Sequence, residues 1–296
     1  MKELEEVFGK IKQMNIQKAV ITAAGRSQRS LPLQTLVDQD RVEKPALQIL
    51  SEEILSAGVE EICLIVAPGD QKAYTDAAGT CASRVQFVEQ AEPRGYGHAL
   101  SLAAPFVDGE PFLHLMSDHL YIGRANARRC AQQVVDQARV HKCAVSAVQA
   151  TREAMLPYFG TVGGRRIPRL ANLYEIDNVI EKPTPSEAEQ TLLVPGLRTG
   201  HYLCFFGIHV FTSTLLELLK EAVAQAAPTD SIQLSPMLAR LAKQERYLAL
   251  EVQGRRFNIG AKYGVWIAQL AFALEGPDRD HLLAQLVELL ALRGPT

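Results

Sequence analysis

Lys18-Ala-Val-Ile-Thr-Ala-Ala-Gly-Arg-Ser-Gln-Arg-Ser-Leu-Pro32 is the stretch on which the fold turns. Its apolar run, Ala19 to Ile21, passes into the small residues Ala23, Ala24 and Gly25, and a basic segment closes at Pro32. Such a pattern predicts a buried first strand that breaks into a tight loop. Small residues let a ligand approach the backbone, whose N–H groups can face phosphates or a base edge. Arg26 and Arg29 add fixed positive charge. An ordinary strand-to-turn junction has the same look, so the decision passes to the rest of the chain.

Downstream, apolar runs alternate with helical patterns. Glu61–Val66, Val85–Glu89, Pro111–Met116 and Ala144–Gln149 are predicted strands, and 44–57, 71–78, 98–106 and 125–140 are predicted helices. Uninterrupted apolar strands belong to parallel sheets covered on both faces. Strand–helix alternation at this pace predicts an α/β fold with a doubly wound, mostly parallel mixed sheet, Rossmann-like, with ligands at the carboxyl ends of its strands. After residue 150 the pattern changes to a hairpin around Gly163-Gly164, strands at 174–181, 201–211 and 247–252, and helices at 214–226 and 235–243. The chain divides into an N-terminal helix (1–16), a first half (17–150), a second half (151–262) that adds a small β extension over one end of the site, and C-terminal helices (263–296). No linker separates independent domains.

Composition narrows the classes. A net charge of −2 over 296 residues leaves no general basic field for nucleic acid. No apolar run is long enough to span a membrane, and the mixed-charge N-terminus lacks a signal-peptide core. Five cysteines without a CxxC pair argue against a zinc cage and favour a reducing cytoplasm. The apolar helices at both ends offer a homo-oligomer interface, although core packing is the more common use of such helices.

Four constellations can carry chemistry. Glu89-Gln-Ala-Glu-Pro-Arg-Gly-Tyr-Gly-His-Ala99 follows a strand and opens a helix. Gly95 and Gly97 permit close backbone approach, and the Gln90 amide can both donate and accept, as the edge of a uracil or thymine demands. Ser117-Asp118 follows a buried strand, where one carboxylate suits Mg²⁺. Glu181-Lys182-Pro183 delivers an acid and a base at a strand end. Arg256-Phe-Asn258-Ile-Gly260-Ala-Lys-Tyr-Gly264 ends another strand, turns at Gly260 and opens a helix, so that Asn258 can face a metal or phosphate, or simply cap the next helix.

Taken in order, these pieces resemble the sugar-1-phosphate nucleotidyltransferases, with the closest likeness to the bacterial UTP–glucose-1-phosphate uridylyltransferases. The resemblance runs from Lys18 to about Leu274 and includes Lys44-Pro45, Tyr158-Phe-Gly160 and Ile232-Gln-Leu-Ser235. It implies a Mg²⁺-dependent enzyme that takes a nucleoside triphosphate and a sugar 1-phosphate and releases pyrophosphate. By position, Ala24, Gly25, Gln90, Gly95 and Gly97 would hold the nucleotide, and Arg29 the triphosphate. Asp118 and Asn258 would hold the metal; Gly160, Glu181 and Lys182 would hold the sugar phosphate. Arg29, Asp118 and Lys182 would be the catalytic set.

The chain departs from the family pattern in three places. Ser27 and Gln28 replace a second glycine and a threonine. A loop lysine is missing, leaving Arg41 or Lys44 as substitutes. Asn258 stands where the family has a second metal aspartate, which removes a negative charge. These departures define the alternative, a catalytically impaired relative that binds nucleotide or sugar phosphate as a regulatory or partner subunit.

Overall fold

The computed structural model describes residues 14–25, 28–123 and 127–292. The N-terminal helix expected within residues 1–16 lies outside these except for residues 14–16, which are not helical and from which Met14 packs against the core.

The first strand, β1 (Lys18–Thr22), sends Ala19 and Ile21 into one core and Val20 into the other. Both cores are apolar, which is why the run shows no polar alternation. β4 (Glu61–Val66), β5 (Val85–Glu89) and β6 (Phe112–Met116) join it in parallel. The remaining strands of the main sheet are β8 (Ala144–Arg152), β9 (Gly160–Arg166), β10 (Leu173–Glu181), β11 (His201–Phe211) and β12 (Tyr247–Glu251). Together they form one nine-stranded sheet in the order β5-β4-β1-β6-β11-β8-β12-β10-β9. β11 runs antiparallel to both β6 and β8, and it divides the parallel first half of the sheet from the second half.

Two small ribbons complete the fold. β2 (Thr35–Val37) pairs with β3 (Glu43–Pro45), and β7 (His119–Gly123) pairs with β13 (Gly254–Asn258). β7 follows β6 after only Ser117 and Asp118, so the chain leaves the main sheet directly at the predicted metal carboxylate. The β7–β13 pairing sets Asn258 opposite His119 and carries the fourth constellation to the second.

Three local expectations are corrected. Gly163-Gly164 is no hairpin turn; both lie inside the continuous strand β9, which pairs with β10. The glycines are needed for close packing, since a Cβ on Gly163 would sit 2.7 Å from the Thr191 carbonyl oxygen. The helix expected at 98–106 is two short ones, Tyr96–Ser101 and Ala104–Val107, and Pro105 in the first turn of the second marks the restart. The helix expected over 125–140 begins only at Cys130. The final helix, Arg279–Ala291, buries no residue, so Val287, Leu289 and Leu290 face outward. All five cysteines are free and buried. Among the described residues no helix is long and apolar enough to cross a membrane.

Candidate active site

Two adjoining cavities open at the carboxyl ends of β1, β6 and β10, where an open α/β sheet places its ligands. The larger, about 380 Å³, is walled by Ala24, Gly25, Gln28, Gln90, Gly95, Ser117, Asp118 and Glu181. The smaller, about 130 Å³, is walled by Tyr158, Phe159, Gly160, Glu181, Ser235, His119 and Arg256. Tyr96, Met116, Glu181 and Gln233 are common to both.

In the larger cleft, Gln90 is buried and its Nε2 donates to the Gly95 carbonyl at 3.3 Å, with His98 Nδ1 3.0 Å away. Those contacts hold the amide plane against the turn. Gly95 has φ +94, and a Cβ there would lie 2.5 Å from Ser231 Oγ and 2.7 Å from the Ile232 carbonyl oxygen. Only glycine satisfies both demands. Gly97 also admits a close neighbour, and that neighbour is the chain itself. Its N–H donates to the Ile232 carbonyl at 2.8 Å, and it lines neither cavity.

Asp118 is buried between two donors: His119 Nδ1 on Oδ1 at 2.8 Å and Gln28 Nε2 on Oδ2 at 2.7 Å. Burial alone would raise its pKa. The His119 hydrogen bond and charge, with the charge of Arg256, outweigh burial and hold the carboxyl below its ordinary value. Asn258 Oδ1 accepts from the Gly260 N–H at 2.8 Å. A Cβ on Gly260 would stand 3.1 Å from Asn258 Oδ1 and 3.7 Å from Asp118 Oδ2, so both oxygens border one small space that glycine keeps open. Two hard oxygen donors suit Mg²⁺, which takes few protein ligands and keeps room for water and phosphate. The pair carries one negative charge rather than two.

The smaller cavity begins at Gly160, which pairs directly with Glu181 across β9 and β10. A Cβ on Gly160 would approach Glu181 Oε2 to 2.9 Å. Glu181 accepts from Ser235 Oγ at 2.6 Å. Lys182 is exposed with φ +47 and lines neither cavity. Arg29 likewise stands apart: its guanidinium grips both oxygens of Asp70, with Nε to Oδ2 at 2.7 Å. The two cations considered as replacements for the loop lysine are also engaged. Lys44 pairs with Asp38 at 2.7 Å and Glu52 at 2.8 Å, and Arg41 with Asp278 at 2.7 Å.

Several residues of the site carry no assigned role from the sequence, although Tyr96, Ser117, His119 and Arg256 stand inside its motifs. His114, fully buried, donates from Nδ1 to the Val20 carbonyl, so its Nε2 must accept the Tyr96 hydroxyl proton. Burial pulls the His114 pKa down to about 4, keeping the ring neutral and Tyr96 fixed between the cavities. Ser117 Oγ and His119 Nε2 are buried without a partner among the described residues. Period-2 spacing from Asn258 was the one available signal for Arg256, which faces the same side of β13.

A profile of the Nucleotidyl transferase family matches residues 18–266. UTP–glucose-1-phosphate uridylyltransferase 2 of Streptococcus pyogenes serotype M1 is 28% identical over 302 residues, covering 93% of this chain and 96% of the relative. Among solved structures, UDP-glucose pyrophosphorylase from Acinetobacter baumannii superposes with a TM-score of 0.71 at 23% identity, covering 93% of this chain and all of the other. A UDP-glucose pyrophosphorylase complexed with UDP-glucose gives 0.70 at 21% identity, covering 87% and 98%. These two likenesses establish the fold.

Proposed function

This chain belongs to the nucleotidyl transferase family, and from that premise we propose that it joins glucose 1-phosphate to UTP with release of pyrophosphate. The observation that carries the reading is the larger cleft, which gathers Gly25, Gln90, Asp118 and Glu181 from across 157 positions of sequence onto one sheet edge. Curated relatives with uridylyltransferase names supply the choice of base and sugar.

In this reading Ala24, Gly25 and Gly95 admit the nucleotide close to the backbone, and the Gln90 amide meets the uracil edge. The smaller cavity takes the sugar against Gly160, Glu181 and Ser235. Asp118 Oδ2 and Asn258 Oδ1 would hold Mg²⁺, which when bound neutralises phosphate charge. The protein's own work is alignment: the cavities share Tyr96 and Glu181, and there the sugar phosphate oxygen would face the nucleotide's α-phosphorus. The phosphate oxygen forms the new P–O bond and pyrophosphate leaves with the electron pair of the broken one. Arg29 and Lys182 would reach the phosphates by side-chain rotation. The reading includes a homo-oligomer, for which exposed Trp266, Ile267 and Leu290 supply an apolar face.

The test supplies Mg²⁺, glucose 1-phosphate and each of UTP, dTTP, ATP, CTP and GTP, and follows pyrophosphate. Release with UTP well above the purine nucleotides is expected. Nucleotide binding by calorimetry without release from any pair would overturn the reading.

A further inference from the structure

Arg256 sits in the wall of the smaller cavity, and the family reading gives it no task. Its guanidinium stacks over Phe159, 3.8 Å from the ring centroid, and donates to the Phe205 carbonyl. The Phe206 ring centroid is 5.9 Å from the same guanidinium. Among the described residues it forms no ion pair, whereas Arg29, Lys44 and Lys18 each have a carboxylate partner. It is half-buried, withdrawn in part from water.

Keeping such a group is costly unless an anion completes it. A guanidinium has five N–H donors, and here one protein acceptor engages them. Arg256 is also the one lysine or arginine among the described residues that line either cavity. Those walls otherwise carry two acids, Asp118 and Glu181, which would repel a phosphate. The aromatic stack fixes the fork and lowers the entropy lost when it binds.

We infer that Arg256 is the cation that receives the phosphate of the sugar substrate, a role for which its pairing-free, aromatic-braced fork is built. The inference rests on the sugar-phosphate reading of the smaller cavity. Arg256 lies two residues before Asn258 on one face of β13, a strand spacing of about 7 Å. A phosphate gripped there therefore borders the Asp118–Asn258 space. Lys182 then becomes the outer cation and Arg256 the inner one.

Calorimetry on the full chain, saturated with UTP in EDTA, tests this with glucose 1-phosphate, glucose, glucuronate and inorganic phosphate. Arg256→Met should weaken glucose 1-phosphate and inorganic phosphate by about 30-fold, the scale of a lost charge-assisted pair. Glucose should change little, and UTP affinity, which reports a folded cleft, should stay within about twofold. Arg256→Lys keeps the charge without the fork and should lose about fivefold. It carries the test if the methionine variant fails to bind UTP. Unchanged phosphate affinity in a UTP-binding variant, or a loss confined to glucuronate, would overturn the assignment. Arg256-dependent binding of inorganic phosphate without glucose 1-phosphate binding would leave the anion site standing and remove the sugar-phosphate reading. Pyrophosphate release with an unchanged KM for glucose 1-phosphate in Arg256→Met would do the reverse.

Discussion

Replacing Gln28 with alanine should increase the affinity of the site for a divalent cation. Gln28 Nε2 donates to Asp118 Oδ2 at 2.7 Å, and that oxygen also borders the space beside Asn258 Oδ1. A cation and the amide therefore compete for one carboxylate oxygen. Net contributions of hydrogen bonds to charged groups are about 1.5–3 kcal/mol, and solvent at an open cleft moves this one to the lower end. Removing about 1.4 kcal/mol of competition corresponds to a tenfold tighter cation. The His119 hydrogen bond on Oδ1 persists, so the carboxylate keeps its orientation and low pKa. Mn²⁺ titration followed by electron paramagnetic resonance, with and without UTP, measures the change independently of turnover. Affinity that is unchanged or weaker in Gln28→Ala would refute the competition and place the metal elsewhere.

Other outcomes follow from the same geometry. Asn258→Asp should tighten Mn²⁺ binding by about tenfold through the added charge, and no change would make Asn258 only the acceptor of the Gly260 N–H. Gly95→Ala should destabilise the fold by about 2–5 kcal/mol in urea unfolding, combining a glycine-only backbone with overpacking against Ser231 and Ile232. Retained stability would mean that the turn yields at Ser231 and Ile232 without cost. Acid titration should expose His114, whose folded pKa is about 4 against an ordinary 6.5. The unfolded chain binds this proton first, so stability is full above 6.5 and falls by about 3 kcal/mol as pH drops towards 4. His209, depressed in the same direction by burial and by His114 and His119, adds to the fall. Urea unfolding of His114→Gln between pH 7 and 4 should show a shallower slope, and an identical slope would contradict the assignment.

How far the sequence reached depended on range. β4 and β5 and the helix Gln71–Ala78 were legible to the residue, because each is specified by its own apolar run and flanking Gly, Pro or polar breaks. β7 was hidden: it begins two residues after β6, and two apolar strands that close together read as one run with an acid inside. Gly163-Gly164 looked like a turn because local sequence cannot distinguish a bend from a place where Thr191 presses on a strand.

The site shows the same division. Gln90, Gly95, Asp118 and Glu181 were legible as motif members at strand ends, and they line one cleft. What Arg29 touches was not legible, because Asp70 is 41 residues away on another element. Arg256 and the His114–Tyr96 pair owe their environments to β13 and β6 packing on distant segments, which no local pattern encodes.

The proposed reaction is bond formation between a sugar phosphate and a nucleotide in these two cavities. Mass spectrometry of a reaction containing UTP, Mg²⁺ and glucose 1-phosphate labelled with ¹³C in the sugar tests it most directly. UDP-glucose carrying the whole label, formed in step with pyrophosphate, is the predicted result. Unlabelled UMP or UDP as the only product, or no product from protein that binds UTP, would contradict it.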